Sequence, residues 1–312
     1  MACKFWYLYK TQEKNTFTMQ RIIPLFIFPL LFFANSLNAQ RFDDVKIETI
    51  QVSDHVYMLI GAGGNIGVSI GEDGVFVIDD QFAPLTPKIE TAIKALSDKQ
   101  IKYLVNTHYH GDHTGGNVNM HKLGATIIAH DNVRHRLETT PKRDNTMHPK
   151  EALPIITFND ELNIHINGEK VAVFHAEHAH TDGDALLYFT ESNVFHTGDT
   201  YFKGRYPFID LNSGGSVNGY INAVELGLAS INDNTKIIPG HGSLSNKAEY
   251  ETFLNMLKTL KDLVLTEIKA GKSEDDVAKN EALTKTFDDL GYGSGFINSE
   301  KIRRTLYVSL KE

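Results

Sequence analysis

Residues 101–116 read IKYLVNTHYHGDHTGG. Ile101 to Asn106 carries the apolar pattern of a strand, and Gly115-Gly116 opens a segment that reads as helical. Between them stand His108, His110, Asp112 and His113, four metal-ligand side chains within six positions. A loop at the carboxyl end of a strand projects side chains into the mouth of a sheet, and neutral imidazoles with a carboxylate suit a borderline-soft cation such as Zn²⁺. On extended chain, His108 and His110 can face one pocket, while Asp112 and His113 fall in the following turn and address a second, neighbouring position. A lone histidine is ordinarily a surface or satisfied core residue, but no His-rich tract accounts for this cluster.

Working outward, apolar runs at Val56 to Ile60, Ile66 to Ile70 and Val75 to Asp79, separated by Gly61-Ala62-Gly63-Gly64 and Glu72-Asp73-Gly74, predict a β-meander. Pro84 to Ser97 has Ile89, Ala92, Ile93 and Leu96 at helical spacing and leads into the strand at 101–106. Downstream the pattern predicts a strand at Ala125 to Ala129, a helix at Asp131 to Glu138 and a polar loop from Thr139 to Glu151. Two hairpins follow, Leu162 to Phe174 about Asn167-Gly168 and Ala185 to Thr197 about Glu191-Ser192-Asn193. Helices are expected at Asn218 to Ile231 and, from its long amphipathic period, Lys247 to Ala270, with a short strand at Thr235 to Pro239. Two β halves, each closed by helices, imply an αβ/βα sandwich of four layers in a single domain spanning residues 40–312, with a C-terminal helical extension.

Three later turns repeat the chemistry of the first. His180 opens His180-Thr181-Asp182-Gly183-Asp184 just before a strand, Asp199 closes Phe195 to Thr200, and His241 sits in Pro239-Gly240-His241-Gly242. Spacing alone leaves His178 as a rival to His180. These four blocks, in this order, resemble the metallo-β-lactamase superfamily of lactamases, glyoxalase II-type thioesterases and acylhomoserine lactonases, from about Ile50 to His241. The resemblance favours His180 over His178. It implies two Zn²⁺ ions, the first held by His108, His110 and His180, the second by Asp112, His113 and His241, with Asp199 bridging. Lactamase subclasses that use a metal-binding cysteine carry it in the block that here ends in Asp199, which moves this chain toward thioesterases and lactonases.

The implied activity is hydrolysis of a small cyclic or activated acyl substrate (β-lactam, lactone, ester or thioester) by hydroxide formed between the cations, with Asp112 orienting the water or shuttling its proton. Tyr201, Lys203, Arg205, Tyr206 and Asn212 are weaker candidates for substrate contacts; packing for the tyrosines and solvated charge for Lys203 and Arg205 are equally open readings. Gly61 to Asn65 is a candidate cleft rim and His196 a candidate support for the ligands. Rival readings are a non-hydrolytic di-iron redox protein on the same fold, and a metal-binding protein without turnover.

The leader narrows the setting. Ile22 to Phe33 is a short apolar run after Arg21 and before the small and polar Ala34 to Ala39, the pattern of a secretory signal, and it is shorter than the roughly 20 residues a bilayer span needs. Cleavage near Ala39 and a periplasmic or extracellular location follow as expectations, and Met19 offers an alternative start that would make residues 1–18 upstream sequence. Losing residues 1–39 takes the formal charge from -8 to -11, since four basic residues and one acidic residue go with them. An acidic chain without a basic stripe argues against a nucleic-acid partner and points to a small-molecule substrate. Cys3, the only cysteine, lies in the leader, so neither a disulfide nor a thiolate ligand is available to the remainder.

Overall fold

Strict alternation in the central strands decides which face meets which layer. The computed structural model describes residues 42–142 and 144–311; the expected leader, residues 1–39, lies outside the described residues. Phe42 onward forms one compact unit.

The first sheet has seven strands in chain order: β1 (Glu48–Gln51), β2 (Val56–Ile60), β3 (Ile66–Gly71), β4 (Gly74–Ile78), β5 (Ile101–Val105), β6 (Thr126–His130) and β7 (Ile156–Phe158). Pairing is antiparallel from β1 to β4 and parallel from β4 to β7. The parallel steps need crossovers, which helices α1 (Thr86–Leu96), α2 (Gly111–Thr114), α3 (Asn117–Lys122) and α4 (Asp131–Thr139) occupy. The second sheet contains β8 (Glu161–Ile166), β9 (Glu169–Ala176), β10 (Asp184–Phe189), β11 (Val194–His196), β12 (Lys236–Ile238) and β13 (Ser245–Asn246), in the order β13-β12-β11-β10-β9-β8.

Phe76 and Ile78 of β4 face the second sheet, whereas Val75 and Val77 face α1 with Ile89 and Ile93. In β10, Ala185, Leu187 and Phe189 face the first sheet, and Leu186 faces outward to the helices. Phe76 and Phe189 meet edge to face across the sandwich, ring centroids 5.9 Å apart, and full burial of such a side chain contributes roughly 1.5–3 kcal/mol. The outer side of the second sheet is covered by α5 (Val217–Ser230) and α6 (Lys247–Lys269). Side-chain caps start both helices: Ser216 accepts from the Gly219 amide and Asn246 from the Glu249 amide, each cap worth about 1 kcal/mol.

After α6 the chain adds α7 (Glu274–Lys279), α8 (Lys285–Asp288) and α9 (Ser299–Lys311). Ile302 and Leu306 of α9 and Val277 of α7 join the core against α5 and α6. The result is the expected four-layer αβ/βα sandwich. Three strands escaped the sequence reading: β1, β7 and β13, all at or near sheet edges and four residues or shorter. Among the described residues, no helix is long and apolar enough to cross a membrane.

Candidate metal centre

Every candidate ligand sits at the same end of the sandwich because every one follows or precedes a strand there. His108 and His110 lie in the loop after β5, and Asp112 and His113 on α2. His180 comes from the turn before β10, Asp199 from the turn after β11, and His241 from the segment after β12. These loops place ligand atoms of His108, His110, His180 and Asp199 within 4.8 Å of one another, and those of Asp112, His113 and His241 likewise. His178, the rival to His180, is exposed, and its Nδ1 bonds the Gly214 carbonyl outside both groups.

The two groups meet at Asp199. Its Oδ2 lies 3.8 Å from His108 Nε2 and 3.6 Å from His180 Nε2. Its Oδ1 lies 3.1 Å from His113 Nε2 and 3.4 Å from His241 Nε2. Asp112 Oδ2 completes the second group, 3.3 Å from His241 Nε2 and 3.8 Å from His113 Nε2.

Hydrogen bonds on the far side of four rings set their tautomers. His113 Nδ1 donates to Asp79 Oδ2 at 2.7 Å, His110 Nε2 to Asp210 Oδ2 at 3.0 Å and His180 Nδ1 to the Phe208 carbonyl at 2.7 Å. Thr107 Oγ1 gives its own proton to Asp79 at 2.8 Å and so accepts from His108 Nδ1 at 3.1 Å. Each ring therefore turns a lone pair inward, the arrangement that metal-ligating histidines require. His110 Nδ1 and His180 Nε2 then face each other at 2.9 Å. Two lone pairs at that separation repel unless a cation lies against both.

Burial adds a second test. His108 Nε2, His113 Nε2 and Asp199 Oδ1 are buried without a hydrogen-bond partner, and an unsatisfied buried polar group costs about 1–3 kcal/mol. All three point into the same space, where divalent metal bound at the two groups would satisfy them together. The donor set of imidazoles and carboxylates fits zinc-like ions, and the residues present suit the group that the fold implies.

Electrostatics divides the two groups. Burial, reinforced by His113 and His180, holds His108 well below the usual histidine range, and burial brings His180 down to about 4. Burial also opposes charge on His113, but Asp199, Asp79 and Asp112 outweigh it and raise this ring well above its ordinary value. The same contest lifts His241 to about 9, with Asp199 and Asp112 prevailing over burial. Against its own burial, Asp112 is lowered to about 2 by His113 and His241. His108 and His180 are thus held neutral, while the second group concentrates carboxylate charge that attracts a cation.

The sequence reading missed two residues that hold ligands. Asp79, at the end of β4, is fully buried and takes three donors: His113 Nδ1, Thr107 Oγ1 and, at 2.8 Å, the Thr107 amide. Its φ of 62° lies in the left-handed region, a conformation Asp tolerates better than most side chains. Asp210, two residues before the substrate-contact candidate Asn212, holds His110 and accepts from Ser213 Oγ at 2.7 Å. The available signal was an acidic residue at a strand end or glycine-rich turn facing a histidine block. His196 Nε2 donates to the Asn65 carbonyl and its Nδ1 accepts from the Gly198 amide, so both nitrogens are committed away from the ligand groups.

The weaker candidates divide. Tyr201 and Tyr206 are buried in the core, Tyr201 against Tyr250 and Phe253 and Tyr206 bonded to Asp288, which favours the packing reading for both. Lys203 is tied to the Leu244 carbonyl and to Glu249, each at 2.8 Å. Arg205 and Asn212 are exposed. The Gly61 to Asn65 rim does reach the site, since the Gly64 amide donates to the Asp112 carbonyl at 3.1 Å.

The chain belongs to the metallo-beta-lactamase superfamily, whose family pattern matches residues 60–242 and so encloses all seven candidate ligands. It is 34% identical over 114 residues to a hydroxyacylglutathione hydrolase of Pelagibacter ubique, covering 36% of this chain and 41% of that protein. A second hydroxyacylglutathione hydrolase, from a Polaromonas species, is 26% identical over 173 residues, 54% of this chain and 58% of that one. The chain thus spans about half the length of these curated relatives. Among solved structures, a metallo-beta-lactamase from Pontibacter korlensis aligns with TM-score 0.58 at 16% identity, over 68% of this chain and 99% of that one. A stereoselective inverting sec-alkylsulfatase from a Pseudomonas species aligns with TM-score 0.66 at 16% identity, over 86% of this chain and 50% of its own. At these identities the two structures speak for the fold.

Proposed function

We propose that this protein is a secreted dizinc hydrolase of a small activated acyl compound, a thioester, lactone, ester or β-lactam. The observation that carries the reading is the division of Asp199, one carboxylate oxygen toward each group of histidines. His108 Nε2, His110 Nδ1 and His180 Nε2 would hold one Zn²⁺, and Asp112, His113 and His241 the other, with Asp199 shared between them. Bound there, two such cations supply Lewis acidity, activating water for attack on an acyl carbon and polarising the carbonyl under attack.

The chain's own groups do the rest. Asp112 is the part-exposed carboxylate of the site, and its ionised state lets it accept a proton from water or orient it. Asp79 and Asp210 hold His113 and His110 in the tautomers that ligation needs. Phe202, stacked on His241 at 5.1 Å, and Phe208, stacked on His110 at 5.7 Å, keep bulk water from the sides of those rings. Kinship to hydroxyacylglutathione hydrolases supports the acyl class, and the leader pattern supports export.

The deciding experiment assays the purified protein for bound metal and for turnover of thioesters, acylhomoserine lactones, p-nitrophenyl esters and nitrocefin. Zinc near two per chain with hydrolysis of at least one class is expected. Iron with redox activity, or zinc with no turnover across the panel, would replace this reading. Export is tested separately by sequencing the amino terminus of protein recovered outside the cytoplasm, where a start near Gln40 is expected.

A further inference from the structure

A chain of ring contacts leads from the ligand histidines to an exposed phenyl, and its last member comes from the C-terminal extension. Phe208 lies against His110, ring centroids 5.7 Å apart at 22°, and against His180 at 5.5 Å and 71°. Phe296, in the segment between α8 and α9, meets Phe208 edge to face, 5.6 Å apart at 87°. Phe208 is half-buried, whereas Phe296 is 75% exposed. The neighbouring Ile297, at 7%, takes the core position instead.

The exposed ring is held in place. Asp288 accepts from Tyr206 Oη at 2.7 Å and from Ser299 Oγ at 2.6 Å, pinning both ends of the segment to the loop that carries Phe208. The Tyr206 amide donates to the Tyr292 carbonyl at 3.4 Å. Lys301 Nζ donates to the Phe296 carbonyl at 3.3 Å and sits 4.9 Å over its ring. A single exposed phenyl is unremarkable by itself. This one is fixed, and it continues a wall whose inner end touches two candidate ligands of the reaction centre.

We propose that Phe208 and Phe296 form the subsite for the apolar part of the substrate, so that the enzyme selects acyl groups with a medium-length aliphatic or aromatic tail over short polar ones. The inference rests on the acyl-hydrolase reading and deepens it. A carbonyl seated at the histidines would leave an attached chain to run along Phe208 and emerge under Phe296, where closing on the ring removes apolar surface from water on both sides. Phe296 is then a specificity-determining residue supplied by the extension.

The test uses the zinc-loaded protein, its Phe296→Ala and Phe296→Leu variants, and p-nitrophenyl esters from acetate to decanoate. In the wild type kcat/KM is expected to rise with chain length. Phe296→Ala should lower it by about 10-fold for decanoate and by less than about 2-fold for acetate, and Phe296→Leu should restore most of the loss. An equal change for both esters, or none for either, overturns the proposal. If the wild type turns over no p-nitrophenyl ester, calorimetric binding of decanoate against acetate decides the subsite, and turnover across the wider panel of thioesters, lactones and nitrocefin decides the acyl-hydrolase reading separately. Decanoate binding weakened about 10-fold by Phe296→Ala with acetate unaffected supports the apolar wall, and equal binding to both proteins removes it.

Discussion

His113 Nδ1 lies 2.7 Å from Asp79 Oδ2, and both side chains are fully buried. The contact joins the end of β4 to α2 and orients the ring whose other nitrogen faces Asp199. Asp79→Asn keeps the size and the tolerance for positive φ but turns an amide donor toward a site that receives three donors. The variant is expected to lose about 1–3 kcal/mol of stability and about 10–100-fold in metal affinity. Urea unfolding and a competitive zinc titration check the two numbers; unchanged affinity would remove Asp79 from the support of the site.

Asp199→Ala should affect both groups at once. Because each oxygen serves one group, the variant is expected to bind clearly less than two metals after gel filtration. Its turnover should fall further than the roughly 10–100-fold that loss of an outer hydrogen-bond partner costs. Two retained metals, measured by inductively coupled plasma mass spectrometry, would contradict the shared-ligand arrangement.

Gly64→Ala probes the second group alone. A methyl added at Gly64 would meet the His113 ring at Cε1 and Nε2, inside contact distance. His113 must then turn or the rim must retreat, and overpacking of this kind costs about 1–3 kcal/mol. The expected outcome is weakened binding of one metal with the other retained, visible as a split in a stepwise zinc titration. Loss of both together, or of neither, would show that the rim does not press on His113.

His196 gives the expected sign of a pH effect. Burial lowers its pKa to about 4, and its Nδ1 accepts from the Gly198 amide, so a proton there would face a donor. Between the unfolded value of about 6.5 and about 4, the unfolded chain binds more protons at this residue than the folded one. Stability from this site is therefore complete above pH 6.5 and declines as pH falls through that window, by about 3 kcal/mol at most. Urea unfolding from pH 7.5 to 4.5 should show a shallower decline in His196→Gln than in the wild type. Nitrogen shifts of the His196 ring should report the neutral Nε2–H form at pH 6.

The central strands and the ligand blocks were legible because each carries a local signal. Residues 75–78 alternate between α1 and the opposite sheet, and His108 to His113 crowd four ligands together. β7 and β13, with three and two residues, are too short for a period to register, and pairing rather than pattern makes them strands. Tyr201 and Tyr206 follow Asp199 closely in sequence, yet the chain turns them into the core, which no spacing could reveal.

By itself the sequence determined the two β halves closed by helices, the four ligand-bearing blocks and the absence of any thiolate beyond Cys3, since these depend on residue type and local period. Only the tertiary structure decided that Asp79 and Asp210 orient the rings, that Asp199 faces both ways and that Phe296 reaches Phe208. Those contacts join residues up to 100 positions apart, and a hydrogen bond or ring contact is set by distance and angle in space, which one-dimensional order does not encode.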